Sequence, residues 1–130
     1  IEEQSKRIAA VREAAERASV PLFINARTDV FLKTYPAAHT LDELEDVLAR
    51  ASAYKDAGAS GLFAPGLRDP ELIRDLCKRS PLPVNIMVLP DAPSNRELAA
   101  LGVARISYGP GPYRQMAELL RDAAREVFTN

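Results

Sequence analysis

The chain has 130 residues, of which 47% are hydrophobic and 27% charged, with a formal net charge of −1; this is the composition of one ordinary globular domain. That balance offers no basic stripe for nucleic acid and no membrane-seeking surface, and no apolar run approaches the roughly 20 residues of a transmembrane helix. The single cysteine, Cys77, excludes an internal disulfide and fits a reducing compartment, so a cytoplasmic protein is expected.

The opening IEEQSKRIAAVREAAERA is charged and helical, unlike a secretory leader. It begins inside a helical pattern with no initiating methionine and no cap, which reads as a trimmed or partial chain. Residues 2–19 set Ile8, Val11, Ala15 and Ala18 at three- and four-residue spacing, an amphipathic helix. Pro21 ends that register, and PLFINARTDVFL, residues 21–32, reads as an apolar strand with Asn25, Arg27, Thr28 and Asp29 inside it. The next helix opens on a capping box, Thr40 with Glu43, carries Leu41, Leu44, Val47, Leu48, Ala51 and Tyr54 as its stripe, and stops at Gly58. SGLFAPGL is a short strand broken by Pro65-Gly66. Asp69 and Pro70 are the cap and first position of a further helix, and LPVNIMVLP is a third strand. Ser94 and Glu97 form a second capping box on a helix closing at Gly102. ARISYGP is a fourth strand, followed by a helix bearing Met116, Leu119, Leu120, Ala123 and Val127, expected to run uncapped to Asn130.

Four strand–helix units after a leading helix predict an α/β fold with a parallel sheet and right-handed crossovers. Short apolar runs without strict alternation suggest strands covered on both faces. In such sheets ligand groups come from the carboxyl ends of the strands. The four ends here carry Asn25, Arg27, Thr28 and Asp29; Pro65-Gly66; Asn85 with Met87; and Ser107, Tyr108 and Gly109. Arg27 stands out, because a planar guanidinium fork suits a carboxylate or phosphate. Its position two residues from Asp29 leaves two readings open, a structural ion pair or an anion site. Asn85 reads first as a structural hydrogen-bonder. His39 reads as a solvated loop residue and Cys77 as core packing. GPGP at 109–112 reads as a rigid turn, since its prolines lack the N–H groups of a phosphate cradle. AGASG at 57–61 precedes its strand and so is no dinucleotide fingerprint.

FINARTDVFL, AGASGLFAPGL, PVNIMV and LGVARISYGPGPYR, in that order, resemble the C-terminal half of the phosphoenolpyruvate mutase/isocitrate lyase superfamily, and EEQSKRIAAVREAAE resembles the helix preceding that half. The resemblance covers essentially the whole chain. It implies a TIM-type (β/α)8 barrel of which residues 1–130 form one (β/α)4 half, strands five to eight. It also implies a Mg²⁺-dependent lyase or mutase that makes or breaks a C–C or P–C bond beside a 2-oxo acid carboxylate through an enolpyruvate-like species. Arg27 matches the family arginine that grips the substrate carboxylate, and Asn85 a substrate-contacting asparagine. Ser107, Gly109 and Gly66 match pocket positions. Gly66 stands where methylisocitrate-type lyases carry a glutamate, which points to the decarboxylase-like and mutase-like branches. The family's metal ligands and gating loop precede this region, so the chain carries no complete Mg²⁺ site, and Asp29 is the one weak candidate ligand. The last helix is expected to swap onto a neighbouring subunit of a homo-oligomer.

Complete barrels need about 250 residues, so four strands alone would leave two edges unpaired. An apolar patch of Phe23, Leu62, Val84, Ile86 and Ile106 would also lie open. The missing strands come from the same polypeptide or from another half-barrel; failing both, the units form an open, doubly wound flavodoxin-like sheet. In the last case the chain is a non-catalytic regulatory or ligand-binding module; a half-barrel that merely docks is a non-catalytic assembly subunit. The identity of the acid, and the choice among lysis, decarboxylation and mutation, are not legible in these residues.

Overall fold

The computed structural model describes residues 1–129. The closing helix's expected end at Asn130 therefore lies outside the described residues. Helices α1 (Glu2–Arg17), α2 (Leu41–Asp56), α3 (Pro70–Arg79), α4 (Asn95–Ala100) and α5 (Gly111–Thr129) alternate with strands β1 (Asn25–Arg27), β2 (Gly61–Phe63), β3 (Val84–Met87) and β4 (Arg105–Ser107). The helix starts form as their sequences dictate. Thr40 and Ser94 each accept from the helix backbone while Glu43 and Glu97 reach back to them, and Asp69 accepts from the amides of Glu71 and Leu72 with Pro70 behind it.

The four strands are parallel and neighbour one another in chain order, β1-β2-β3-β4. No reversal of order occurs, so the sheet has no topological switch point and is not the doubly wound alternative. Right-handed crossovers between sequential neighbours put every connecting helix on one face. The core bears this out. Ala26, Leu62, Val84 and Ile86 from the strands, with Ala64 just after β2, pack with Ile8, Leu44, Val47, Ala51, Tyr54, Ile73, Leu76 and Leu98 from α1 to α4.

The register sorts the remaining strand residues. Asn25 lies opposite Gly61, Arg27 opposite Phe63, Phe63 opposite Asn85, and Asn85 opposite Arg105. In parallel pairs opposed residues share a face, so these side chains point away from the helices. Among the described residues, helices cover one face of the sheet. The expected open apolar patch is thereby corrected. Leu62, Val84 and Ile86 are buried under the helices and Ile106 packs against the same core, while Phe23, 60% exposed, is the one member on the open side. That side mixes the polar Asn25, Arg27, Asn85 and Arg105 with the apolar Phe23 and Phe63.

The segment read as one strand over residues 21–32 is a strand only at Asn25–Arg27. Val30–Leu32 turns into a 3₁₀ helix, with the Leu32 amide donating to the Asp29 carbonyl at 3.0 Å. Burial of Val30 and Phe31 explains why that run is apolar without extending the sheet. In α1, Ile8 and Ala15 are buried, but Val11 and Ala18 are exposed. Leu41 likewise stands outside the buried stripe of α2. At the amino-terminal end of the sheet Arg12 clips three segments together. Its Nε and Nη2 donate to the Gly58 carbonyl at 3.1 and 2.9 Å, Nη1 to the Leu22 carbonyl at 3.0 Å, and Nη2 also to Ser60 Oγ.

Hydrogen bonds from the side chain and backbone of Thr40 hold Glu43 below the ordinary carboxylate value of 4.5, and those of Ser94 do the same for Glu97. A lowered folded-state value means this stabilisation is complete above 4.5 and is lost as pH falls through the folded value. Urea midpoints should accordingly drop on acidification below 4.5, and a Glu43→Gln, Glu97→Gln double variant should show a flatter acid limb. An unchanged limb would show that the two boxes carry no proton-linked stability.

Candidate functional site

The parity of β1 answers why a buried segment carries four polar residues. Ala26 and Thr28 point to the helices; Asn25 and Arg27 point to the open face. Thr28 is buried, its amide donates to the Phe63 carbonyl, and its Oγ1 has no hydrogen-bond partner. Arg27 is about half exposed, donates through Nε to Asp29 Oδ1 at 2.5 Å, and lies with its guanidinium carbon 5.9 Å from the centre of the Phe63 ring. Among the described residues its two Nη groups make no hydrogen bond. The ion pair allowed by the spacing therefore forms. A half-exposed pair of this kind contributes about 0–1 kcal/mol, too little to be what holds the strand end. Asp29 orients Arg27 and leaves the end of the guanidinium fork presented to the open face.

Arg27, Phe63, Asn85 and Arg105 occupy one row of the register across all four strands. Asn85 is 2% exposed, and its Oδ1 accepts from Ser107 Oγ at 3.0 Å. This bond fixes the amide's orientation. With the oxygen engaged by a hydroxyl, the Nδ2 group is left as a donor towards the open side. Arg105 is exposed and, with Phe23, Asn25 and Asn85, lines a depression of about 390 Å³. The four residues Arg27, Asn85, Arg105 and Ser107 thus make the face cationic and donor-rich, suited to an anion with several oxygens.

Two glycines of the rim have backbone reasons for being glycine. Gly66 has φ +98°, and a Cβ there would stand 2.6 Å from the Phe31 carbonyl oxygen. Gly109 has φ +52°, and a Cβ would stand 2.7 Å from Met87 Sδ. Gly66 is buried against the 3₁₀ turn, so it shapes the rim through that close approach. Tyr108 is joined to α4 by the Asn95 amide, 2.5 Å from its hydroxyl.

His39 differs from its reading as a solvated loop residue. Its Nε2 is 2.9 Å from the Phe31 carbonyl oxygen, its ring tilts against Phe31 at 5.0 Å, and Nδ1 is buried without a partner. It packs the 3₁₀ turn down and stands away from the Arg27 row. Cys77 packs against the core as expected, and burial pushes its thiol up to about 11. Phe63, Arg105 and Arg68 were not singled out by the strand-end motifs. The alternation Arg105-Ile106-Ser107 is the pattern that marks Arg105 as an open-face residue.

Among the described residues no three His, Cys, Asp or Glu side chains cluster as metal ligands. Asp29 is engaged by Arg27, so this chain's own residues do not fit a Mg²⁺ site, which wants several carboxylate and water oxygens. No helix among the described residues is long and apolar enough to cross a membrane.

A parallel four-stranded sheet with its helices on one face and Arg27, Phe63, Asn85 and Arg105 in one row on the other defines an α/β protein. The sequence profile of phosphoenolpyruvate phosphomutase matches residues 1–128, and the chain belongs to that family. A structure described as a phosphonomutase from Burkholderia cenocepacia J2315 superposes with a TM-score of 0.91 at 54% identity, covering 94% of this chain and 49% of that one. The fold of 2,3-dimethylmalate lyase, a PEP mutase/isocitrate lyase superfamily member, superposes with a TM-score of 0.80 at 23% identity, covering 98% of this chain and 44% of that one. An uncharacterised protein of Mycobacterium tuberculosis is 35% identical over 114 residues, which are 88% of this chain and 42% of that protein. The chain therefore spans under half the length of each of these relatives.

Two outcomes test the site's construction. Ser107→Ala leaves the buried Asn85 oxygen without its donor and should cost about 1–3 kcal/mol in urea unfolding; an unchanged midpoint would show that water replaces the hydroxyl. Cys77, with its raised value, should react with a disulfide reagent at about pH 8 far more slowly in the folded protein than in urea. Equal rates would contradict its packed position.

Proposed function

We propose that this chain supplies the substrate-carboxylate part of a lyase or mutase acting on a small 2-oxo, phospho- or phosphono-carboxylic acid. The reaction would make or break a C–C or P–C bond beside the carboxylate through an enolpyruvate-like species. The observation that carries this reading is Arg27, oriented by Asp29 and presenting its Nη groups to a sheet face shared with Asn85. In this role Arg27 binds the carboxylate through its fork. Asn85, held by Ser107, donates to a developing enolate or carboxylate oxygen. Gly66 and Gly109 let the backbone at the rim approach closely, and Ser107 lines the pocket while positioning Asn85.

In the same reading the four strands are strands five to eight of a (β/α)8 barrel. The remaining strands would cover the open face and pair the edges of β1 and β4. The uninterrupted strand order and the partial coverage of the relatives support it. The Mg²⁺ ligands would lie outside these 130 residues, and the isolated chain would be inactive. Helix α5 has no buried residue, and Met116, Leu119, Leu120 and Val127 are 50–75% exposed along it. Such a stripe fits a helix that docks on a second copy of the chain, giving a homo-oligomer of a cytoplasmic enzyme.

The test is turnover of a panel of 2-oxo and phosphono acids by the full-length protein carrying Arg27→Met. The half-exposed side chain can be replaced without unfolding the protein, so the variant should melt like the parent while kcat/KM falls on the order of a hundredfold or more. A folded variant with retained turnover overturns the role of Arg27. A parent protein with no turnover but saturable binding of the same acids would favour the ligand-binding module.

A further inference from the structure

The carboxyl-end rim holds a second cationic cleft, separate from the Arg27 row. It encloses about 390 Å³ between the turn after β1 and the loop after β2, and Lys33, Thr34, Tyr35, Gly66, Arg68 and Leu89 line it. Among the described residues no Asp or Glu lines it, although Arg68 also borders a neighbouring depression lined by Asp91 and Glu97. The side chain of Arg68 is 27% exposed, and its Nη1 donates to the Pro90 carbonyl at 2.8 Å. Asp91 stands 3.9 Å from the same Nη1 but is itself 93% exposed, a distant and solvent-screened partner.

The other edge of that guanidinium is different. Arg68 Nε is buried without a hydrogen-bond partner, and among the described residues Nη2 makes no hydrogen bond. Nε and Nη2 together are the side-on fork with which arginine holds two oxygens of a carboxylate or phosphate. A cationic N–H withdrawn from water and left without an acceptor is costly, and a native structure that keeps one calls for an explanation. Lys33 is exposed beside it and has no ion pair among the described residues. Thr34 and Tyr35 add two hydroxyls to the wall. Pro90 anchors Nη1, so the fork is held in position before any ligand arrives.

We propose that this cleft is an anion-binding site, in which the Nε–Nη2 edge of Arg68 takes two oxygens of a carboxylate, phosphate or phosphonate group with the Lys33 ammonium beside it. The site does not depend on the catalytic reading, because Arg27 does not line it. Its ligand is the acidic group of a small metabolite.

The experiment is an NMR titration of the full-length protein, following the Arg68 Nε–Hε resonance at constant ionic strength held with sodium chloride. Inorganic phosphate and malonate are the two probes. At least one should shift the resonance saturably, and the probe that saturates at the lower concentration identifies the preferred oxyanion. Arg68→Met should weaken binding at least tenfold, and Lys33→Ala, an exposed substitution that cannot unfold the chain, should weaken it several-fold. Arg27→Met should leave the Arg68 response unchanged, so loss of the Arg27 site and loss of this one are read separately. A linear response equal to that of chloride overturns the proposal, as does binding that survives Arg68→Met. A resonance indifferent to both probes also overturns it.

Discussion

One-sided burial of the sheet is the constraint from which the rest of this structure follows. Four parallel strands in chain order, joined by right-handed crossovers, can place their helices on only one face. The apolar residues of one parity, Ala26, Leu62, Val84 and Ile86, are then committed to the core with the inner stripes of α1 to α4. Everything of the other parity is committed to the opposite face. A one-residue slip in any strand would exchange the two sets, so the same hydrophobic burial that stabilises the sheet also decides which polar groups are gathered.

What it gathers is a row rather than a scatter. Arg27, Phe63, Asn85 and Arg105 come from segments as far apart as residues 27 and 105, yet the register sets them side by side. Their supports differ in kind. Asn85 is buried and fixed by Ser107, a bond whose loss leaves an unsatisfied acceptor. Arg27 is oriented by an exposed carboxylate worth little to stability. The exposed cations thus stand at the two ends of the row, with the buried Asn85 inside it.

The rim extends the same logic outward. Gly66 lets the loop after β2 press against the Phe31 carbonyl, and His39 Nε2 stands 2.9 Å from the same oxygen. Helix α5 is the opposite case, an amphipathic helix with an apolar stripe that nothing among the described residues covers.

Local chemistry was legible in the sequence wherever the controlling interactions span a few residues. Both capping boxes, the Asp69-Pro70 helix start, the four strands and the Arg27–Asp29 pair are short-range features, and the structure contains each of them. The resemblance read from the strand-end motifs is likewise the family to which the chain belongs. Features set by residues distant in the chain were not legible. PLFINARTDVFL reads as one strand because apolar content does not distinguish a strand from a buried 3₁₀ turn, and only the packing of Phe31 under Gly66 and His39 separates them. Leu62, Val84 and Ile86 read as open because short apolar runs do not reveal which face the helices take. By itself, the sequence determined the order of helices and strands and the capped starts of α2, α3 and α4, since backbone capping and turn chemistry are local. Only the tertiary structure decided which side chains share a face, because register and crossover hand arise between segments and leave no mark within any one of them.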